Sequence, residues 1–419
     1  MTRPVAHLGL RIAAALCLAL GAARASADVV IDWNVEMTHY HESLPPPGMP
    51  PLEERIYAIA HIAMFNAAAD AARDHASAEA AVAQAAHDVL ARSLPAGTAD
   101  FDALLARELS AVPDGTGKTA GIQAGAAAAA AELAARAGDG IGDSEGPYHP
   151  GVKPGDYQYT APFDKIAPPG NPAPYAHLPK LGKVTPFVLK SGDQFRANAP
   201  YTVNDAEYSF DFNEVKAFGS RNSTARTADQ TAIAQFWYED ANFTWNRIAR
   251  VLEAQHPEGV LETARLFATL NAAIFDAYVA GFDSKYAQNL WRPVTAIHSP
   301  LSAANPATVP DPTWESLMLT PPMPDYVSTH SASAAAASVV LIWFFHGDEQ
   351  TFTIPSTMAA VVPGLEPRTF HRVSDAAEEC AFSRVFAGIH FRRSCLAGLE
   401  QGRSVGAWVV QHAAFTEGR

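Results

Sequence analysis

Between Glu53 and Arg73 the apolar residues Ile56, Ile59, Ala60, Ala63, Met64 and Ala67 recur at intervals of three and four, the repeat of one helix face. Alanine-rich runs at 76–92, 100–111 and 117–137 continue in the same style, so their helices must pack closely through small side chains. The period returns from Thr227 through Ile233, Phe236, Trp237, Ile248, Val251 and Leu252, and again from Leu261 to Ala280. Segments 283–298, 331–346, 374–393 and 396–414 also read as helical, and no stretch alternates convincingly over strand length. The pattern predicts an all-α fold of helical bundles with long Pro- and Gly-rich connections. The longest connection runs from about 138 to 210, where Gly138 to Gly146 lead into Pro150, Pro154, Pro162, Pro168, Pro169, Pro172 and Pro174. Scattered aromatic residues there argue for an ordered loop. This divides the chain into an N-terminal helical region, 28–210, which carries the loop, and a C-terminal bundle, 211–419.

Residues 1–27 read as a secretory signal peptide: Arg3 and Arg11 precede the apolar run Ile12 to Ala23, and Ala25-Ser26-Ala27 offers small residues for cleavage. The expected location is periplasmic or secreted. Loss of three arginines and no acids takes the formal charge from -14 to -17. Such a surface repels polyphosphate backbones, which excludes a general nucleic-acid binder, so any anion site must be a local cluster of cations. The best candidate for a membrane span, Ser331 to Phe345, is too short for the roughly 20 apolar residues needed and reads as a buried helix.

Three separated segments place polar residues inside otherwise apolar text. In Lys285-Tyr-Ala-Gln-Asn-Leu-Trp-Arg292-Pro293 the two cations are seven apart, about 20° from alignment on a regular helix, which would make an oxyanion clamp. In Pro324-Asp-Tyr-Val-Ser328-Thr329-His330-Ser331 a hydroxyl, a main-chain N–H near a helix start and an imidazole suit an anion nest with an acid/base beside it. In Ser383-Arg384-Val-Phe-Ala-Gly-Ile-His390-Phe-Arg392-Arg393-Ser394 the Arg and His do not share a helix face, so either Arg384 reaches round from the first turn or the helix starts close to it. Taken singly, each has a plain explanation: a solvated cationic face, a Ser/Thr helix cap, a core Arg–His pair.

Together the three segments resemble the signature of the vanadium-dependent haloperoxidase and type-2 phosphatidic acid phosphatase superfamily: Lys, six residues, Arg-Pro; Pro-Ser-Gly-His; Ser-Arg, five residues, His, three residues, Asp. The upstream text at Pro186 to Arg196, Phe212 to Lys216, Gln235 to Asp240 and, more faintly, Arg55 to Ala67 is similar to the soluble bacterial haloperoxidase-like branch. The resemblance implies a vanadium chloroperoxidase-like fold and a vanadate cofactor, with phosphate competing for the same site. It implies that His390 is the axial vanadate ligand, or the phosphohistidine nucleophile of a phosphatase. Lys285, Arg292, Arg384, the Ser328 hydroxyl and the Thr329 N–H would hold equatorial oxygens, His330 would be the acid/base, and Asp240 would orient and charge His330. The implied partners are hydrogen peroxide and halide, or a phosphate ester, with no nucleic acid and no membrane span; a homodimer is compatible with this.

Four positions depart from the signature. Val327 replaces Pro, and Thr329 replaces Gly, which predicts a narrower pocket. Ser394 replaces the final Asp, which predicts lower efficiency, and Met323 stands where haloperoxidases often carry an aromatic residue near halide. Two functional classes follow: an enzyme, either a vanadate-dependent haloperoxidase or an acid phosphatase, and an oxyanion-binding protein without turnover. His39-Tyr-His41-Glu42 has metal-ligand residue types but no second cluster, so a surface loop is the expected reading. Cys380 and Cys395 leave two alternatives, a disulfide or two buried thiols.

Overall fold

A computed structural model describes residues 28–44 and 49–416, so the expected signal peptide lies outside the described residues. The N-terminal part holds α1 (Val29–Glu42), α2 (Pro50–Arg73), α3 (Ala78–Ser93), α4 (Thr98–Ala111) and α5 (Thr116–Ala135). After the long connection come α6 (Ala206–Phe218), α7 (Ala228–Phe236), α8 (Ala241–Gln255), α9 (Val260–Gln288), α10 (Pro293–His298) and α11 (Thr329–Phe344). A short hairpin, β1 (Phe352–Ile354) with β2 (Arg368–Phe370), precedes α12 (Val373–Phe386) and α13 (Arg392–His412). Strands of three residues are too short to leave an alternating signature, which is why the sequence pattern does not show this hairpin.

Helix α9 is buried almost throughout, from Thr263 to Lys285, because its apolar residues run all round the cylinder. It packs on α2 from the N-terminal part and on α11 and α13 from the C-terminal part, within one apolar cluster that reaches from Val29 to Phe415. Local sequence fixes the helix ends. Thr227 and Gln230 form a reciprocal capping box on α7, and Ser77 accepts from Ala80 N at 3.1 Å to open α3.

Residues 29–42 form a helix, so the expected surface loop at His39 to Glu42 is corrected: His41 is buried and its Nδ1 lies 2.9 Å from the Met37 carbonyl. Among the described residues no group of three or more His, Cys, Asp or Glu could hold a metal ion, and no helix is long and apolar enough to cross a membrane.

The Pro-rich connection is ordered by polar anchors on the buried helices. The Asp276 carboxylate on α9 accepts from the N–H groups of Phe187, Val188 and Leu189 at 2.6, 2.8 and 2.8 Å. Arg196 makes a two-pronged pair with Asp283 at 2.7 and 2.9 Å. Further along, Tyr157 N donates to Asn289 O and Trp291 N to Gly155 O, both at 2.8 Å, so the loop braces the chain that leaves α9. Backbone groups of a loop this long are satisfied by such contacts instead of a ladder.

Candidate active site

The expected single helix over 283–298 is broken. Helix α9 ends at Gln288 with Asn289 left-handed at φ 54°, a conformation Asn tolerates, and Arg292 is extended because Pro293 follows it. Lys285 and Arg292 therefore do not share a helix face. They converge by another route, on the carbonyls of the segment before α11. Lys285 Nζ donates to Pro324 O at 2.8 Å and Asp325 O at 3.1 Å, and Arg292 Nε donates to Met323 O at 2.6 Å.

The helix expected over 374–393 is broken as well. Helix α12 stops at Phe386, and Gly388 turns the chain with φ 79°. The N–H groups of Ile389 and His390 then fold back on the Arg384 carbonyl at 3.1 and 3.3 Å. The turn requires glycine twice over: the backbone is left-handed, and a Cβ would sit 2.3 Å from Gly219 O. Arg384 itself, from the last turn of α12, donates through Nη1 to Trp237 O at 2.7 Å and lies over the Tyr238 ring, 5.5 Å from its centroid.

Helix α11 begins two residues earlier than the pattern suggested, so Ser328 is its N-cap and Thr329 its first residue. The Ser328 hydroxyl accepts from Ser331 N at 3.3 Å, and Ser328 N donates to Ser394 O at 2.9 Å. The Thr329 side chain packs where α9 carries Gly281; a Cβ there would lie 2.8 Å from the Thr329 methyl. Space for the larger residue thus comes from the helix interface.

These elements bring Lys285, Arg292, Arg384, His330 and His390 close enough to act on one another electrostatically, with Ser328 and Thr329 directly before His330 at the start of α11. Lys285 is 0% exposed and Arg292 and Arg384 are each 1% exposed. Burial, then neighbouring positive charge, pulls the Lys285 pKa well below its ordinary value; burial also lowers those of both arginines. Arg292 Nη1 lies 3.0 Å from His390 Nε2, which makes that nitrogen the acceptor and leaves the ring neutral. Burial, Arg292 and Lys285 hold His390 well below the usual imidazole range. His330 Nε2 faces the Glu239 carbonyl at 3.2 Å, and burial followed by Arg384 likewise depresses its pKa.

Asp240 caps the start of α8, beside that carbonyl, and its carboxylate makes no hydrogen bond to His330. Part of its surface remains accessible, yet dense surroundings push its pKa up to about 8, with Glu53 and Glu239 adding to the desolvation. It is therefore mostly a neutral acid at pH 7. Cys380 and Cys395 are free and buried, which decides between the two alternatives; burial raises the Cys380 thiol to about 12.

One residue the sequence pattern did not single out enters the site. Asp325, 0% exposed, places Oδ1 2.9 Å from His390 Nδ1 and accepts from the Ser394 hydroxyl through Oδ2. Its burial outweighs the cations nearby, so its pKa is raised. The signal available was an acid at 325 and a serine at 394, but only the fold puts them side by side.

Residues 265–417 match the second helical-bundle domain of vanadium chloroperoxidases. The vanadium chloroperoxidase of Curvularia inaequalis is 23% identical over 325 residues, which cover 59% of this chain and 52% of that protein. A bacterial vanadium-dependent iodoperoxidase superposes with a TM-score of 0.74 at 24% identity, covering 94% of this chain and 97% of that one. The chain therefore has the fold of the vanadium haloperoxidases. A second structure of the superfamily, a holo-type bacterial vanadium-dependent chloroperoxidase, superposes with a TM-score of 0.71 at 18% identity, covering 90% of this chain and 95% of that one. The chain thus spans about half the length of the Curvularia protein, and nearly the whole of the two bacterial superfamily members.

Proposed function

We propose that the chain is a vanadate-dependent haloperoxidase, which oxidises halide with hydrogen peroxide at a site built around His390. The observation that carries this reading is the charge at the site. Lys285, Arg292 and Arg384 are three buried cations with one carboxylate, Asp325, close among them, and Arg384 Nε has no hydrogen-bond partner. Uncompensated buried charge is costly, and a multiply charged oxyanion removes the deficit. The donor set fits vanadate: one imidazole nitrogen able to bond, hard cationic donors for oxygens, and no cage of carboxylates for a divalent ion.

When bound, vanadate supplies a Lewis-acidic centre that activates peroxide towards halide. The chain's residues do the rest. His390 would offer Nε2 once Arg292 turns from it to the anion, and Lys285, Arg292, Arg384, Ser328 and the Thr329 N–H would hold the oxygens. His330 donates Nε2–H to the Glu239 carbonyl, which leaves Nδ1 as its basic atom for taking up and returning a proton. An anion among the cations also offsets the positive charge that, after burial, depresses the His330 pKa.

Calorimetry on the purified chain tests the site. One vanadate per chain is expected, with phosphate competing for the same site, and His390→Ala should weaken vanadate by at least ~100-fold, more than loss of a supporting partner costs. Unchanged vanadate affinity in His390→Ala would show that the ligand assignment is wrong.

A further inference from the structure

We infer that Asp325 is the positioning residue of His390 in this chain, reaching the ring from a different segment than the signature's final acid, whose place Ser394 takes. The inference rests on the proposed vanadate site and goes beyond it, because no signature position corresponds to Asp325.

The geometry is that of an exchange between two segments. His390 has two ring nitrogens, and Arg292 Nη1, 3.0 Å from Nε2, can only donate to it. Nε2 is therefore the bare nitrogen and Nδ1 carries the proton. Asp325 Oδ1 stands 2.9 Å from that Nδ1, off the straight line of a hydrogen bond, so a small turn of the ring completes the contact. The other oxygen, Oδ2, receives the Ser394 hydroxyl, so the signature's acid position now supports a carboxylate that arrives from the segment before α11.

Asp325 is also held through its backbone. Its N–H donates to Leu290 O at 2.8 Å, while its carbonyl accepts Lys285 Nζ at 3.1 Å. The carboxylate thus has a fixed origin and can hold the imidazole in the one tautomer that presents Nε2 to an incoming ligand. A carboxylate behind a ligating imidazole both orients the ring and raises the basicity of the nitrogen that bonds. On this account Ser394 marks an acid moved to another segment, and the lower efficiency predicted from its presence does not follow.

Anion binding by the vanadate-free protein separates this role from a general structural one. Vanadate needs the bond from His390 Nε2, whereas phosphate held by the cations does not. Asp325→Asn should weaken vanadate by roughly 10- to 100-fold. It should leave phosphate as tight or tighter, because a negative charge beside the anion is gone. The exchange variant Asp325→Ser with Ser394→Asp returns the carboxylate from the signature position; it should recover vanadate binding to within about threefold of wild type. It also carries the test if Asp325→Asn does not fold. Equal loss of both anions in Asp325→Asn, or vanadate affinity unchanged there, overturns the inference while the site reading stands. An exchange variant as weak as Asp325→Asn overturns it too. A wild-type protein that binds no vanadate overturns the site reading and this inference with it.

Discussion

His330→Ala is expected to lower halide oxidation by roughly 100- to 10,000-fold while vanadate stays bound, the usual cost of removing a general acid/base. The ring contributes no bond to the anion in this account. It hangs from the first turn of α11, its Nε2 fixed on the Glu239 carbonyl at 3.2 Å, and its other nitrogen is the one free to exchange protons. Its neutral state also follows from the structure: burial, then Arg384, Lys285 and Arg292, keep it from being charged until an anion offsets them. Calorimetry and turnover on the same preparation check the prediction. Vanadate affinity that falls in parallel with activity would move His330 from proton transfer to anion binding.

Asp240→Asn is expected to stabilise the protein near neutral pH, by an amount that grows with pH. The folded-state pKa of about 8 lies above the ordinary 3.8, so the folded protein holds a proton that the unfolded chain releases. Stability from this group is full below pH 4, falls as pH rises through the window between the two values, and levels off above about 8. The slope is at most about 1.4 kcal/mol per pH unit, which accumulates to an upper bound of roughly 4 kcal/mol at pH 7. Water reaches part of the side chain, so a gain of roughly 1 to 4 kcal/mol is the expected range. The Asp240 side chain makes no cap hydrogen bond at the start of α8, so the exchange removes none. Urea denaturation of both proteins at several pH values reads the difference directly, and identical pH slopes would contradict it. A stability cost retained beside His330 is what a functional site predicts.

The helical text was legible because small and apolar residues at intervals of three and four leave a pattern, and α2 and α9 lie where that pattern put them. Breaks within that text were harder to read. Asn289 and Gly388 each stop a helix through a single left-handed residue, and neither disturbs the apolar period around it. The signature residues are each visible in the sequence, but a shared helix face does not pair Lys285 with Arg292. Their convergence comes from carbonyls of residues 323–325, in a segment whose position only the tertiary fold decides. Asp325 leaves no pairing signal in the sequence for a similar reason: its partners His390 and Ser394 are 65 and 69 residues away, and no local pattern connects them. Helix α1 was hidden by its polar residues, several of which, such as Asn34 and Thr38, are buried in hydrogen bonds instead of facing solvent.

The proposed activity is turnover of peroxide and halide at the His390 site with vanadate in place. Its most direct test is bromination of a phenolic dye by the vanadate-loaded chain with bromide and hydrogen peroxide, beside phosphate-monoester hydrolysis by the vanadate-free chain. Bromination that requires vanadate and disappears in His330→Ala is the predicted result. Ester hydrolysis without any bromination, or tight vanadate binding with neither activity, would contradict it.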